Sequence, residues 1–216
     1  MLAGLTLFSV VNALGQFQQS IGASFPMVDN ASGVITPNGD LMMYGYRFDV
    51  LNLTGQQRID WLDQSGNFTS VSKDLDVAAT SSESGHWIEK NVICGNGNEY
   101  VLVGDDNQGE MLVSRATLTG TLVWTRAIGS PGSIESGVWA EMDANGLLLA
   151  LGNSYNTNNF ISSVALAQLD CNGNTNWKNT FSINGYSLTA TFGTTFPTAP
   201  GGFGVCYVTG IATSTL

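Results

Sequence analysis

Few side chains of the kinds that usually carry out catalysis occur in this 216-residue chain. His86 is the only histidine, which excludes a multi-histidine metal site and weakens any histidine-dependent catalytic triad. Glu89 and Glu141 are the best candidates for the paired carboxylates of a glycoside hydrolase. A sialidase-type site would also need several arginines on one face. The predicted strands do not bring the arginines of this chain together: Arg47, Arg58, Arg115 and Arg126. Catalysis is therefore the less favoured interpretation.

Two oxygen-rich segments resemble parts of calcium loops. Residues 170–174 place Asp and Asn at alternate positions, and residues 105–107 form a second cluster. Neither segment carries the bidentate glutamate of a strong calcium loop. Asp and Asn also hydrogen-bond their own backbone in tight turns, which is the interpretation we favour. We expect no metal and no cofactor.

Polar and aromatic residues gather in three segments that we predict to be loops, at residues 46–57, 105–109 and 153–160. Aromatic rings beside Asn and Asp suit polar ligands such as glycans or peptides. The binding candidates are Tyr46, Arg47, Phe48, Asp105, Asp106, Asn107, Asn153, Tyr155 and Asn156.

The elements that would position these side chains recur with a period. A turn glycine after an apolar run occurs at Gly15, Gly66, Gly120 and Gly173, at intervals of 51, 54 and 53 residues. A second recurring pattern is a turn, often Asn-Gly, followed by an apolar run that ends in glycine. Asn-Gly between apolar runs is a strong hairpin signal, because both turn residues tolerate positive φ. Each period therefore predicts two hairpins and four strands.

A unit of about 53 residues with four short strands has the size of a β-propeller blade. The whole units lie near residues 30–75, 87–128 and 137–181, and residues 1–22 with 186–216 would form a closing blade. We predict a single all-β domain, a propeller of about four blades of four antiparallel strands, with the last blade closed by both termini. The alternative is a fragment of a larger propeller. Glu89 and Glu141 would then lie in first strands and line the central channel.

One turn carries a sharper family signal. Leu169-Asp170-Cys171-Asn172-Gly173-Asn174-Thr175-Asn176-Trp177 resembles the L-D-x-x-G-x-x-x-W segment of quinoprotein-like propeller repeats and of related secreted bacterial surface propellers. The resemblance implies a fold, in which the tryptophan packs between blades and the aspartate tightens the turn. It implies structural roles for Trp124, Trp177, Gly66, Gly120 and Gly173. We do not expect a bound quinone, because the residues that would hold it are missing from this sequence.

Charge and cysteine content bear on partners and location. The net charge is -10 with only 7 Lys and Arg, which excludes a nucleic-acid-binding surface. No apolar run is long enough for a transmembrane helix. Residues 1–15 read as a β-strand or as a signal peptide, and a location outside the cell or on its surface is expected. The three cysteines, Cys94, Cys171 and Cys206, are expected to be unpaired.

The combined pattern predicts a non-catalytic binding or interaction scaffold, either a monomer or part of a larger surface assembly. Its partner would be an unknown glycan, peptide or protein. A structural repeat segment of a larger cell-surface protein is one alternative, and a propeller glycoside hydrolase is another. A metal-binding module is the weakest.

Overall fold

The computed structural model describes residues 27–49, 54–75, 83–91, 94, 99–142, 146–184, 186–190, 195–197, 203–205 and 213–214. These residues form strands and turns. In chain order the strands are β1 (Met27–Ile35), β2 (Leu41–Asp49), β3 (Thr54–Leu62), β4 (Phe68–Leu75), β5 (Glu83–Asn91), β6 (Glu99–Asp106), β7 (Met111–Thr117), β8 (Leu122–Ile128), β9 (Ser133–Met142), β10 (Leu148–Asn156), β11 (Ser162–Leu169), β12 (Thr175–Phe181), β13 (Tyr186–Ser187), β14 (Thr195–Pro197), β15 (Phe203–Val205) and β16 (Thr213–Ser214).

The first twelve strands form three antiparallel sheets of four. In each sheet every strand pairs with the next along the chain, giving a first sheet of β1 to β4, a second of β5 to β8 and a third of β9 to β12. Two short pairs follow, β13 with β16 and β14 with β15. The all-β prediction is confirmed, and the described ranges contain no helix long and apolar enough to cross a membrane. The predicted closing blade includes residues 1–22, which lie outside the described residues.

Glycines and aspartates close the outer hairpin turns. Asp63 accepts hydrogen bonds from the backbone N–H of Ser65 at 2.8 Å and of Asn67 at 2.9 Å. Asp170 uses its carboxylate in the same way, in the turn between β11 and β12. The chain can reverse here because the turn glycine has a positive φ, 80° at Gly66.

The sheets stack through their first strands. Strand β5 contacts β1, β2 and β3 of the first sheet, and β9 contacts β5, β6 and β7 of the second. The backbones approach so closely that a Cβ at Gly85 would lie 2.3 Å from the carbonyl oxygen of Gly45. A Cβ at Gly137 would lie 2.8 Å from the carbonyl oxygen of Gly104. Only glycine permits this approach.

The core lies in the layers between neighbouring sheets, while the outermost strands are largely exposed. Apolar side chains between the first and second sheets include Met42, Tyr44, Ile59, Ile88, Leu102 and Leu112. Those between the second and third include Val101, Val103, Met111, Ala140, Leu148 and Ala150. Buried inner strands and stacked four-stranded sheets make this a propeller-like all-β fold.

Tryptophans hold the outer edges of neighbouring sheets together. Trp124 in β8 donates from Nε1 to the carbonyl oxygen of Cys171 at 2.9 Å. Its ring also covers Gly173, where a Cβ would lie 2.8 Å from Trp124 Cδ2. Trp61 lies against Gly120 in the same manner, one sheet earlier. Trp124 therefore packs between two sheets; Trp177, another of the structural candidates, packs against the apolar cluster of the third sheet.

A disulfide joins the second and third sheets, which corrects the expectation of unpaired cysteines. Cys94, between β5 and β6, is bonded to Cys171 in the turn between β11 and β12, with the Cα atoms 5.7 Å apart. The two cysteines are 77 residues apart in sequence, and only the stacking of the third sheet on the second brings this turn against the connection that holds Cys94. Cys206 lies outside the described residues.

Candidate functional site

The candidate site lies at the ends of the second strands. Gly45, Gly104 and Gly152 occupy equivalent places in β2, β6 and β10, each beside the irregularity in the pairing of the first and second strands. The residues that follow them, Tyr46, Asp105 and Asn153, are therefore equivalent positions in three sheets. We call these strand ends, residues 46–48, 105–107 and 153–156, the rim.

The rim is more regular than the sequence suggested. Tyr46, Arg47 and Phe48 lie within β2 and not in a loop, since β2 and β3 remain paired as far as Asp49 and Thr54. The other candidates follow the same rule: Asp105 and Asp106 lie in β6, Asn153, Tyr155 and Asn156 in β10, and Asn107 alone in a turn. The predicted loops were too long because cross-strand pairing continues past the glycine in each sheet.

Asp105 joins two sheets at the rim. Its Oδ2 lies 2.9 Å from Nε2 of His86, in the neighbouring strand β5. The same oxygen accepts a hydrogen bond from Ser136 Oγ of the third sheet at 2.5 Å. The serine contacts the aspartate and not the histidine, so these three residues do not have the geometry of a serine nucleophile with its base.

Asn153 makes the equivalent link from the third sheet. Its Oδ1 accepts the backbone N–H of Ala190 at 2.6 Å, and its Nδ2 donates to the Ala190 carbonyl at 3.3 Å. In the first sheet, Arg47 binds Asp74 at 3.0 Å and Gln56 at 3.2 Å. Much of the polar rim thus has structural contacts of its own.

Two further candidates hold turns. Asp106 Oδ1 accepts the backbone N–H of Gln108 at 3.0 Å and of Glu110 at 2.9 Å. Asn156 Oδ1 accepts the N–H of Asn158 at 2.9 Å. Tyr155 differs from both, because its ring is exposed.

Buried polar residues behind the rim were missed by the sequence argument. The Tyr44 hydroxyl donates to Gln57 Oε1 with both side chains fully buried. Glu83, at the start of β5, is also buried. Burial, followed by the negative charges of Glu83 and Asp105, raises the pKa of Tyr44 well above its ordinary value. Tyr44 therefore stays neutral at physiological pH.

A repeated motif could have revealed the buried glutamates. Residues 83–89 and 135–141 both read E-S-G-x-W-x-E, and each begins with a buried glutamate. Glu135 binds Lys178 Nζ at 2.7 Å through Oε1, and its Oε2 accepts the Ser130 N–H at 2.8 Å. This acid therefore has a structural ion pair within the third sheet.

The last residue of each motif is one of the acid candidates. Glu89 lies in β5 and Glu141 in β9, in the first strands of their sheets as predicted, and both are half-buried. Within the ranges that the structure describes, no group of three or more His, Cys, Asp or Glu could hold a metal ion.

Comparison with known proteins gives a likeness of fold. No protein family and no curated protein sequence matches the chain. An endo-arabinase from Bacteroides thetaiotaomicron has a similar structure, with a TM-score of 0.51 and 15% identity over 92% of this chain and 76% of that one. A eukaryotic initiation factor aligns with a TM-score of 0.41 and 8% identity, over 73% of this chain. The chain spans 33% of that factor's length.

Proposed function

We propose that the chain is a non-catalytic binding scaffold whose rim contacts a glycan, peptide or protein partner. The observation that carries this is how the three sheets differ from one another. Their stacking glycines recur, whereas the rim reads Tyr-Arg-Phe at 46–48, Asp-Asp-Asn at 105–107 and Asn-Ser-Tyr at 153–155. Equivalent backbone positions that carry different polar and aromatic side chains form a varied surface, which suits recognition.

Many acidic side chains are held in ion pairs or turns, which supports a role without catalysis. In the described part of the chain, Arg58 binds Asp60 at 2.9 Å and Asp74 at 2.8 Å, and Arg115 binds Glu99. Other carboxylates hold their own turns, as described above. Acids tied in this way stabilise the fold and are poorly placed for proton transfer to a substrate.

The finer architecture belongs to the same proposal. We infer a ring of four blades, the fourth built from residues 1–22 and 186–216, with repeats like those of quinoprotein-like propellers. A segment of a larger cell-surface propeller remains the structural alternative. The disulfide between Cys94 and Cys171 supports a location outside the reducing cytoplasm, because such bonds persist in oxidising compartments.

A propeller glycoside hydrolase is the second candidate. Glu89 and Glu141 occupy equivalent places in β5 and β9, and these two strands contact each other. The structural neighbour from Bacteroides is an endo-arabinase. Hydrolysis of a glycosidic bond generally uses a pair of carboxylates that flank the bond, and these two glutamates would supply such a pair.

One experiment separates the two candidates. The full chain is screened on immobilised glycans and peptides, and soluble arabinan and xylan are tested for release of reducing ends. We expect binding without hydrolysis. Binding should weaken in a Tyr46→Ala/Asn107→Ala variant and should persist in a Glu89→Gln/Glu141→Gln variant. Hydrolysis that the glutamine variant abolishes would replace the scaffold proposal with the hydrolase. Absence of any binding would leave the structural alternative.

A further inference from the structure

Two exposed aromatic rings stand close together in the third sheet, one in the rim and one in the turn that follows it. Tyr155, near the end of β10, is 36% exposed, and Phe160, before β11, is 69% exposed. Their ring centroids are 6.4 Å apart and the planes are inclined by 51°. Ile134, paired opposite Tyr155 in β9, adds a further exposed apolar side chain. The pair forms a small apolar surface at an otherwise polar edge.

The backbone at Phe160 is unfavourable for a side chain. Its φ is 60°, the left-handed region, and no other described residue except glycine has a positive φ. The turn of the second sheet places Gly109, with φ 82°, at the equivalent point, since Gly109 N–H donates to Asp106 O and Phe160 N–H donates to Asn156 O. Glycine would relieve the strain here. A largely exposed Phe160 gains little from burial in return.

The turn that carries the ring is tightly held. Thr157 donates from both N–H and Oγ1 to the carbonyl of Gly132, each at 3.0 Å. Asn159 Oδ1 accepts the N–H of Ile161 at 3.1 Å. The rings are therefore presented on a fixed backbone, which lowers the entropy lost when a ligand binds.

The surroundings select the ligand class. Residues 144–169 contain no charged side chain, and residues 157–160 are all exposed Thr, Asn and Phe. This segment offers aromatic faces together with amide and hydroxyl groups, and it carries no charge of its own. Neutral sugars match it, because each ring has an apolar C–H face for stacking and hydroxyls for hydrogen bonds.

We propose that Tyr155 and Phe160 form a stacking platform for a neutral oligosaccharide. The inference rests on the proposed binding function and gives it a site and a ligand class. Two tilted rings with centroids 6.4 Å apart can stack on neighbouring sugar units of one chain. Because the rings carry no positive charge, they would not favour an anionic chain.

The test uses calorimetric titration of the full chain with linear hexasaccharides of glucose, xylose and arabinose, and with hexagalacturonate as the charged counterpart. We expect at least one neutral probe to bind with a Kd no weaker than about 1 mM. Phe160→Gly and Tyr155→Ser should each weaken it by about tenfold or more. Phe160→Gly should leave the Tm equal or raise it, because the strained conformation is relieved.

Phe68→Ser is the matched control. Phe68 in β4 is an exposed aromatic residue too, at 51%, but it lies in the first sheet. This variant should bind like the unmodified chain. Neutral-sugar binding that survives both platform variants would overturn the platform and leave the scaffold function in place. Loss of binding in Phe68→Ser would also overturn the platform as the binding site. Preference for hexagalacturonate, or no binding of any sugar, would overturn the ligand class.

Discussion

A single carboxylate shows how the outer turns depend on charge. The side-chain amide of Asn174, together with the backbone N–H groups of Asn174 and Asn172 and the charge of Arg126, lowers the pKa of Asp170. The ionised form is therefore better stabilised in the fold than in the unfolded chain. This contribution is fully present above the ordinary pKa near 4 and is lost as the pH falls through the lower, folded value.

Asp170→Asn keeps one oxygen for the turn and removes the charge. We expect a lower Tm than the unmodified chain at pH 7, and a difference that shrinks below about pH 4, where the aspartate itself becomes protonated. Thermal unfolding followed by circular dichroism at several pH values measures it. A difference in Tm that is the same at pH 7 and at about pH 2.5 would contradict the prediction, since charge would then contribute nothing.

At the scale of elements, local signals were enough for the strands and turns. Turn glycines with positive φ and aspartates that bind their own backbone act within five residues, so the sequence reveals them. The ends of β2, β6 and β10 were placed wrongly because pairing across strands decides them, as at Asp49 and Thr54. Aromatic residues such as Tyr46 and Phe48 also favour strands over loops.

The partner of Cys94 was beyond local reasoning. Its identity depends on which turn of the third sheet packs against the second sheet, a tertiary contact 77 residues away. The buried glutamates were different, since the repeated motif at 83–89 and 135–141 was visible in the sequence and was overlooked.

The disulfide leads to a prediction for the pairing of sheets. Under denaturing, non-reducing conditions a thiol reagent should find one free thiol among the three cysteines. Cys94→Ser/Cys171→Ser should lose about 4 kcal/mol of stability, because the bond closes a long loop in the unfolded chain. A reductant should lower the stability of the unmodified protein by the same amount. It should not change the stability of the double variant. Three free thiols, or equal stability with and without reductant, would contradict it.

At the scale of the whole molecule, the two ends of the chain are nearly free of charge, and they would come together in the proposed ring. Residues 1–28 carry no charge, and residues 144–216 carry only Asp170 and Lys178. Both ends supply the proposed fourth blade, whose strands would cover edges that otherwise invite pairing with other chains. A closed ring of 216 residues should be compact, with a radius of gyration of about 17 Å.

Removal of residues 1–15 tests this closure. We expect a lower and less cooperative thermal transition than in the full chain, with a larger radius of gyration or self-association by X-ray scattering, because strand edges become exposed. A chain in which the same residues are replaced by Gly and Ser controls for length and should behave like the deletion. If the deletion unfolds like the full chain and stays compact, residues 1–15 are dispensable for the fold. The closing blade would then lack its proposed first segment, and a cleaved signal peptide would explain the apolar run better.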